Sequence, residues 1–134
     1  MCSYTYFNKL ELKEKSMKQF LAIYLGGPNG ANKSGWSALD EATRNDRIQK
    51  GMKEWGDWME RHAKRIVVTG GPLGKTKKTS TSGVADTKNE MTGYVVVEAA
   101  SHDEAARLFE NHPHFTIFPG ESVEIMECLP IPTA

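Results

Sequence analysis

Two periodicities divide the chain. Apolar residues run unbroken for six positions from Phe20 to Leu25, within "MKQFLAIYLG". That run predicts a strand buried on both faces. From Gly26 to Gly35, "GGPNGANKSG" predicts a loop by composition. Beyond it the period changes. Ile48, Met52, Trp55, Met59 and Ala63 recur at spacings of four, three, four and four, which is one face of a long helix. Trp58 and His62 flank that stripe. Ser37, with Asp40 three residues on, is the predicted N-cap. Gly51 and Gly56 each weaken the helix by about 1 kcal/mol relative to alanine, so tertiary contacts must hold it.

A second strand, "IVVTG", is expected to end at Gly70-Gly71-Pro72. The polar stretch from Lys75 to Thr92 leaves a short third strand or a hairpin open. "GYVVVEA" is almost continuously apolar and predicts a central strand. Ser101 and Glu104 form a capping box with Asp103 in the first turn. It opens a short helix with Ala105, Leu108 and Phe109 inward, which Asn111 and Pro113 end. Pro119-Gly120 is a turn, and "ESVEIMECLPI" is the last strand.

The order strand, helix, strand, optional hairpin, strand, helix, strand is the split βαβ pattern of an α+β, ferredoxin-like βαββαβ sandwich. Two helices cover one face of such a sheet. The strands read as buried on both, so a second copy of the chain is the simplest cover, and a homodimer is expected.

Composition narrows the class. The chain has 134 residues, 39% hydrophobic and 25% charged, values of a single globular domain. A membrane span needs about 20 apolar residues, so no membrane partner is expected. Residues 1–16 read as an extension without the apolar core of a signal peptide, with the domain at 17–132; a cytoplasmic location is expected. Cys2 and Cys128 form no metal or redox spacing. Cys128 is read as a small buried hydrophobe and a disulfide is not expected. Net charge is zero, against nucleic-acid binding. Yet Arg61–Lys78 holds six bases and no acid, whereas Glu98–Glu127 holds seven acids and one base. Two solvated faces or complementary self-association both fit.

"VVTGGPLGKTKKTS" invites comparison with a phosphate-binding loop. The pattern GxxxxGK(S/T) requires a glycine at position 69, which is Thr69, and no helical period follows Lys75. The stretch is read as a turn at a strand end, with Lys75 left free to attract an anionic ligand.

Several segments together are similar to a known family: the strand "MKQFLAIYLG", "GGPLG", and above all Gly93-Tyr94, Glu98-Ala99, Ser101, Glu104-Ala105 and Pro113, followed by "GESVEIMECLPI". From about Met17 to Pro132 the chain resembles the YCII-related, or DGPF-domain, family. The resemblance implies a ferredoxin-like dimeric α/β barrel. It also implies a cleft in which some members are proposed to carry a His–Asp pair; one relative is a dehydrochlorinase of a ring-cleavage pathway. This sequence departs from that pair. The first helix has no histidine before His62, His112 stands before Pro113 where an aspartate is expected, and the DGPF region reads "SGVADTK". The dyad is not carried over.

What chemistry remains comes from the residues themselves. "NHPHF" supplies His112 and His114, which titrate near neutrality and would share a face in an extended segment. Alternatively His112 is a cation at the helix end and His114 is exposed. Asp86 and Glu90 are the candidate acid–base partners. Lys75 and Asn89 are candidate ligand contacts, and Trp55 and Tyr24 candidate pocket walls, otherwise core. The phenylalanines of "HFTIF" are read as core or dimer contacts. No carboxylate or cysteine stands at ligand spacing to the histidines, so neither metal nor cofactor is expected. The expected function is binding of a small organic molecule, an anionic one if Lys75 holds it, in a dimer cleft with cofactor-free acid–base chemistry. The alternative is a non-catalytic ligand sensor or a protein-interaction module.

Overall fold

The computed structural model describes residues 16–132. The expected extension, apart from Ser16, and Cys2 lie outside them. The elements are β1 (Lys18–Leu25), α1 (Pro28–Ser34), a 3-10 turn (Trp36–Ala38), α2 (Glu41–Arg61), β2 (Ile66–Pro72), β3 (Thr76–Ser80), β4 (Gly83–Thr87), β5 (Met91–Ala99), α3 (His102–Arg107), α4 (Pro113–Thr116) and β6 (Ser122–Glu127). Four strands form one sheet in the order β2-β5-β1-β6, and each neighbouring pair is antiparallel. β1 and β2 flank β5, and β5 and β6 flank β1, so two split βαβ units interlock. This is the ferredoxin-like α+β topology the sequence predicts. β3 and β4 form a separate two-stranded hairpin.

The core lies between sheet and helices. Phe20, Ala22 and Tyr24 of β1 alternate with Val95, Val97 and Ala99 of β5 on the helix-covered face, under Trp58, Ala105 and Phe109. Trp58 is 1% exposed, and its indole Nε1 donates to the Leu108 carbonyl at 2.9 Å, which satisfies its polar edge inside the core. On the opposite sheet face, alternation places Leu21, Tyr94, Val96 and Met126, with Met126 43% exposed.

Several local expectations change. Gly26–Gly35 is not all loop: α1 starts at Pro28, whose fixed φ suits the first helical position, and ends at Gly35, left-handed at φ 65°. Asp40, not Ser37, caps α2; its carboxylate accepts from the Thr43 N–H at 2.7 Å, while Ser37 sits in the 3-10 turn. β2 runs on through Gly70-Gly71-Pro72 with an irregular register, which the left-handed φ of Gly70 permits. Pro113 does not merely end a helix but opens α4. Cys128 follows β6 and is exposed. Ser101 caps α3 as expected, accepting from the Glu104 N–H at 3.1 Å.

The buried face of α2 is rotated from the expected stripe. Gly51 and Trp58 are its buried residues, and Met52 is 65% exposed. Gly51 is buried because the Phe118 ring lies on it: a Cβ there would fall 2.5 Å from Phe118. Nothing lies within 4 Å of a Cβ at Gly56.

The two glycines should therefore respond in opposite ways to alanine. Gly56→Ala should raise stability by about 0.5–1 kcal/mol through helix propensity. Gly51→Ala should lower it by about 1–3 kcal/mol through overpacking. Denaturant unfolding of the two variants reads both; equal gains would refute the contact between Phe118 and α2.

Candidate functional site

The segment from His112 to Glu121 crosses the end of the helical layer and carries both sequence-singled histidines. His112 has no exposed surface. Its Nδ1 accepts the backbone N–H of His114 at 3.0 Å, so it is the N-cap of α4. In the neutral ring that acceptor role puts the proton on Nε2, which faces the Tyr24 hydroxyl at 3.3 Å. Trp55 and Trp58 meet the imidazole edge-on at 4.5 and 4.7 Å between centroids. Burial, then the charges of His114 and His62, pushes its pKa down to about 3. Burial pushes the Tyr24 phenol up. Both groups are thus neutral at ordinary pH, and His112 is a cap inside the core rather than a cation facing a helix end.

His114 is 6% exposed, not the exposed residue of the alternative reading. Its Nε2 donates to the Leu25 carbonyl at 2.7 Å, leaving the neutral ring its lone pair on Nδ1. Burial lowers its pKa, while the carbonyls of Leu25 and Ser122 oppose that shift. The ring lies against Gly120, where a Cβ would fall 2.3 Å from it. With Met52, Trp55, Gly56, Pro72, Thr92 and Phe118 it lines a cavity of about 490 Å³. Thr92 commits its hydroxyl to the Tyr24 carbonyl at 3.0 Å. The cavity is apolar but for one half-engaged imidazole, an arrangement suited to a flat organic molecule and the exchange of one proton.

The fold brings Tyr24, Trp55, His112 and His114 together; Tyr24 and His114 stand 5.2 Å apart, ring to ring. It places the other candidates elsewhere. Lys75, Asp86 and Asn89 line a second cavity, of about 660 Å³, beside the hairpin. Asp86 pairs with Lys77 at 2.6 Å. Asn89 donates to the Thr76 hydroxyl at 3.4 Å and accepts the Met91 N–H at 2.9 Å. Glu90 is exposed, and its backbone carbonyl accepts from the Gly26 N–H at 2.8 Å. Phe118, read from the sequence as a core or dimer contact, Pro72 and Gly120, read as a strand end and a turn, and Thr92 were not expected at the site. Phe118 carries a faint signal, an aromatic four residues after His114 next to Pro-Gly; the others carry none. Among the described residues, no group of three or more His, Cys, Asp or Glu could hold a metal ion, and no helix is long and apolar enough to cross a membrane.

Comparison with known proteins adds a family and one structure. The YCII-related domain matches residues 36–129. No match was found among curated proteins. Among solved structures, the chain is similar to 5-chloro-2-hydroxyhydroquinone dehydrochlorinase (TftG) from Burkholderia phenoliruptrix AC1100, determined with 2,5-dihydroxybenzoquinone, at 20% identity and a TM-score of 0.44 over 80% of this chain and 89% of that one.

The buried imidazole makes a pH prediction. His112 takes up its proton near pH 3 when folded but near its ordinary 6.5 when unfolded. Its contribution to stability is therefore complete above about pH 6.5 and is lost as pH falls from there toward 3. The lowered values of His114 and His62 act in the same sense. Thermal melts should show Tm falling below about pH 6.5. His112→Phe should cost about 1–3 kcal/mol near neutrality through the lost cap and hydrogen bond, and should flatten the acid limb. An acid limb of unchanged slope in that variant would move the proton uptake to other groups.

Proposed function

The chain belongs to the YCII-related family, and on that premise we propose that it binds a small, flat organic molecule in the His114 cavity and exchanges a proton with it without a cofactor. One observation carries the reading. His114 stands on a wall shared with Met52, Trp55, Pro72 and Phe118, and its Nε2 is held by the Leu25 carbonyl. Trp55 and Phe118 offer ring surfaces 6.1 Å apart by centroid. His114 accepts or returns the proton. His112 carries none near neutrality, because its pKa is pushed down to about 3; it positions His114 through the backbone N–H it accepts. Tyr24 completes that support. The reading leaves Lys75, Asp86, Asn89 and Glu90 outside the proton step, since the first three line the hairpin cavity and Glu90 does not line that of His114. The working unit is a homodimer formed over the sheet face that bears Leu21, Tyr94, Val96 and Met126, because these apolar side chains stand together there, beside Glu98 and Glu124, and no helix among the described residues covers them.

The acid–base reading and the sensor alternative separate with para-nitrophenol, a flat probe whose ionisation changes its absorption. The wild-type protein should bind it and shift its ionisation, with Trp55 emission reporting occupancy. His114→Phe should abolish the ionisation shift and weaken binding about tenfold, roughly 1.4 kcal/mol. Binding and ionisation unchanged in that variant would sink the proposal. Binding that survives without any proton shift in the wild type would favour the sensor.

The dimer has its own test. Native mass spectrometry should show a dimer for the wild type and a monomer for Val68→Asp/Met126→Asp, both at exposed positions. A dimer of undiminished strength in the double variant would place the interface elsewhere.

A further inference from the structure

α2 borders a larger cavity on the far side of Phe118. It has a volume of about 740 Å³, with Arg47 and Lys50 on one wall and Asn29, Ser34 and Glu121 among the others. Phe118 lines both this cavity and that of His114.

Arg47 is unlike the other half-buried arginines of the described chain. Arg44 donates to the Leu39 carbonyl at 2.8 Å, and Arg65 pairs with Glu104 at 3.1 Å. Arg47 is half-buried, yet among the described residues no hydrogen bond or ion pair reaches its guanidinium. The helix explains why. The neighbours three and four positions away are Thr43, Arg44, Lys50 and Gly51, so no acid stands one turn from it. A guanidinium carries five N–H donors in a planar fork. No Arg47 nitrogen is buried without a partner, so water meets its donors and an incoming anion would take the place of that water rather than of a protein acceptor. Lys50 sits one turn on and faces the same cavity, so two positive charges converge on one concave space.

We infer that this cavity is an oxyanion-binding site for a carboxylate or phosphate group, with Arg47 as the forked ligand and Lys50 as the second cation. A planar fork matches two oxygens of one such group, which a lone ammonium does not. Glu121 on another wall limits the charge the site accepts. Among the described residues its carboxylate meets the Asn29 amide at 3.5 Å, and its negative charge disfavours highly charged ligands and sets the anion toward α2. The site does not depend on proton chemistry at His114, although the shared Phe118 wall makes the two cavities neighbours.

The test uses the full chain with inorganic phosphate and, separately, benzoate, each exchanged against chloride at constant ionic strength so that screening cancels. Tm is read by scanning calorimetry and affinity by isothermal titration. At least one anion should raise the wild-type Tm by about 3 °C near saturation. Arg47→Gln should remove that rise while leaving the anion-free Tm within about 1 °C, since no described partner is lost. Lys50→Gln should weaken binding several-fold, and Glu121→Gln should strengthen it, a gain that a purely structural role would not give. A response to phosphate alone assigns a phosphate group, and a response to benzoate assigns an organic acid. No Arg47-dependent response to either anion, or equal affinity in wild type and Arg47→Gln, overturns the proposal.

Discussion

The structure around the site depends on an imidazole that must stay neutral. His112 is wholly buried among Tyr24, Trp55, Trp58 and Phe109, where an uncompensated charge would be severely unfavourable. Neutrality fixes the ring's hydrogen bonds: a lone pair on Nδ1 for the His114 amide and a proton on Nε2 toward Tyr24. From that pair follows the placement of the next eight residues. α4 begins where His112 caps it. His114 then reaches the end of β1, and Gly120 closes back on it, its N–H donating to the His114 carbonyl at 2.9 Å. Phe118, held in that loop, lands on Gly51.

The two histidines differ through their partners, not their spacing. Both are buried, which lowers the proton affinity of each. His112 is offered a backbone donor and ring edges, which favour the neutral form. His114 is offered carbonyl oxygens, which favour the protonated form and offset part of its burial. One therefore becomes a fixed strut and the other remains able to titrate on a cavity wall. Two residues apart in sequence, one ring is spent on capping a helix inside the core and the other borders a cavity.

This division explains what the sequence could reveal. The strands and their order were legible because continuous apolar runs such as "FLAIYL" and "YVVVEA" have one simple arrangement, two central strands covered by helices. The buried face of α2 was not. Positions 48, 52, 55 and 59 form one helical stripe, and positions 48, 51, 55 and 58 form another. The latter is the weaker pattern only because residue 51 has no side chain. α1 was hidden by glycine, proline and asparagine, which mark a loop by composition but also supply the two ends of a short helix. Tyr24, Trp55, His112 and His114 could be picked out by residue type, yet their roles could not. Which histidine is a cap and which faces a cavity depends on Leu25 and Gly120, contacts that no spacing within "NHPHF" encodes. The hairpin candidates were adjacent to the central strand in sequence, but β3 and β4 pair with each other and carry Lys75 and Asp86 to a different cavity.

The walls of the site are set as much by absent side chains as by present ones. Gly51 sits in the interior of a 21-residue helix, where glycine is unfavourable by about 1 kcal/mol relative to alanine. Alanine there would be driven into the Phe118 ring. Phe118 is also the wall shared by the His114 and Arg47 cavities. A ring lifted off α2 would change both volumes at once. The chain thus accepts a weaker helix at the one point where a closer approach separates two cavities. A search for chemistry-bearing residues passes over such positions, because the glycine contributes geometry alone. The same logic holds at Gly120, where any side chain would displace the His114 ring and with it the hydrogen bond that orients the titrating group.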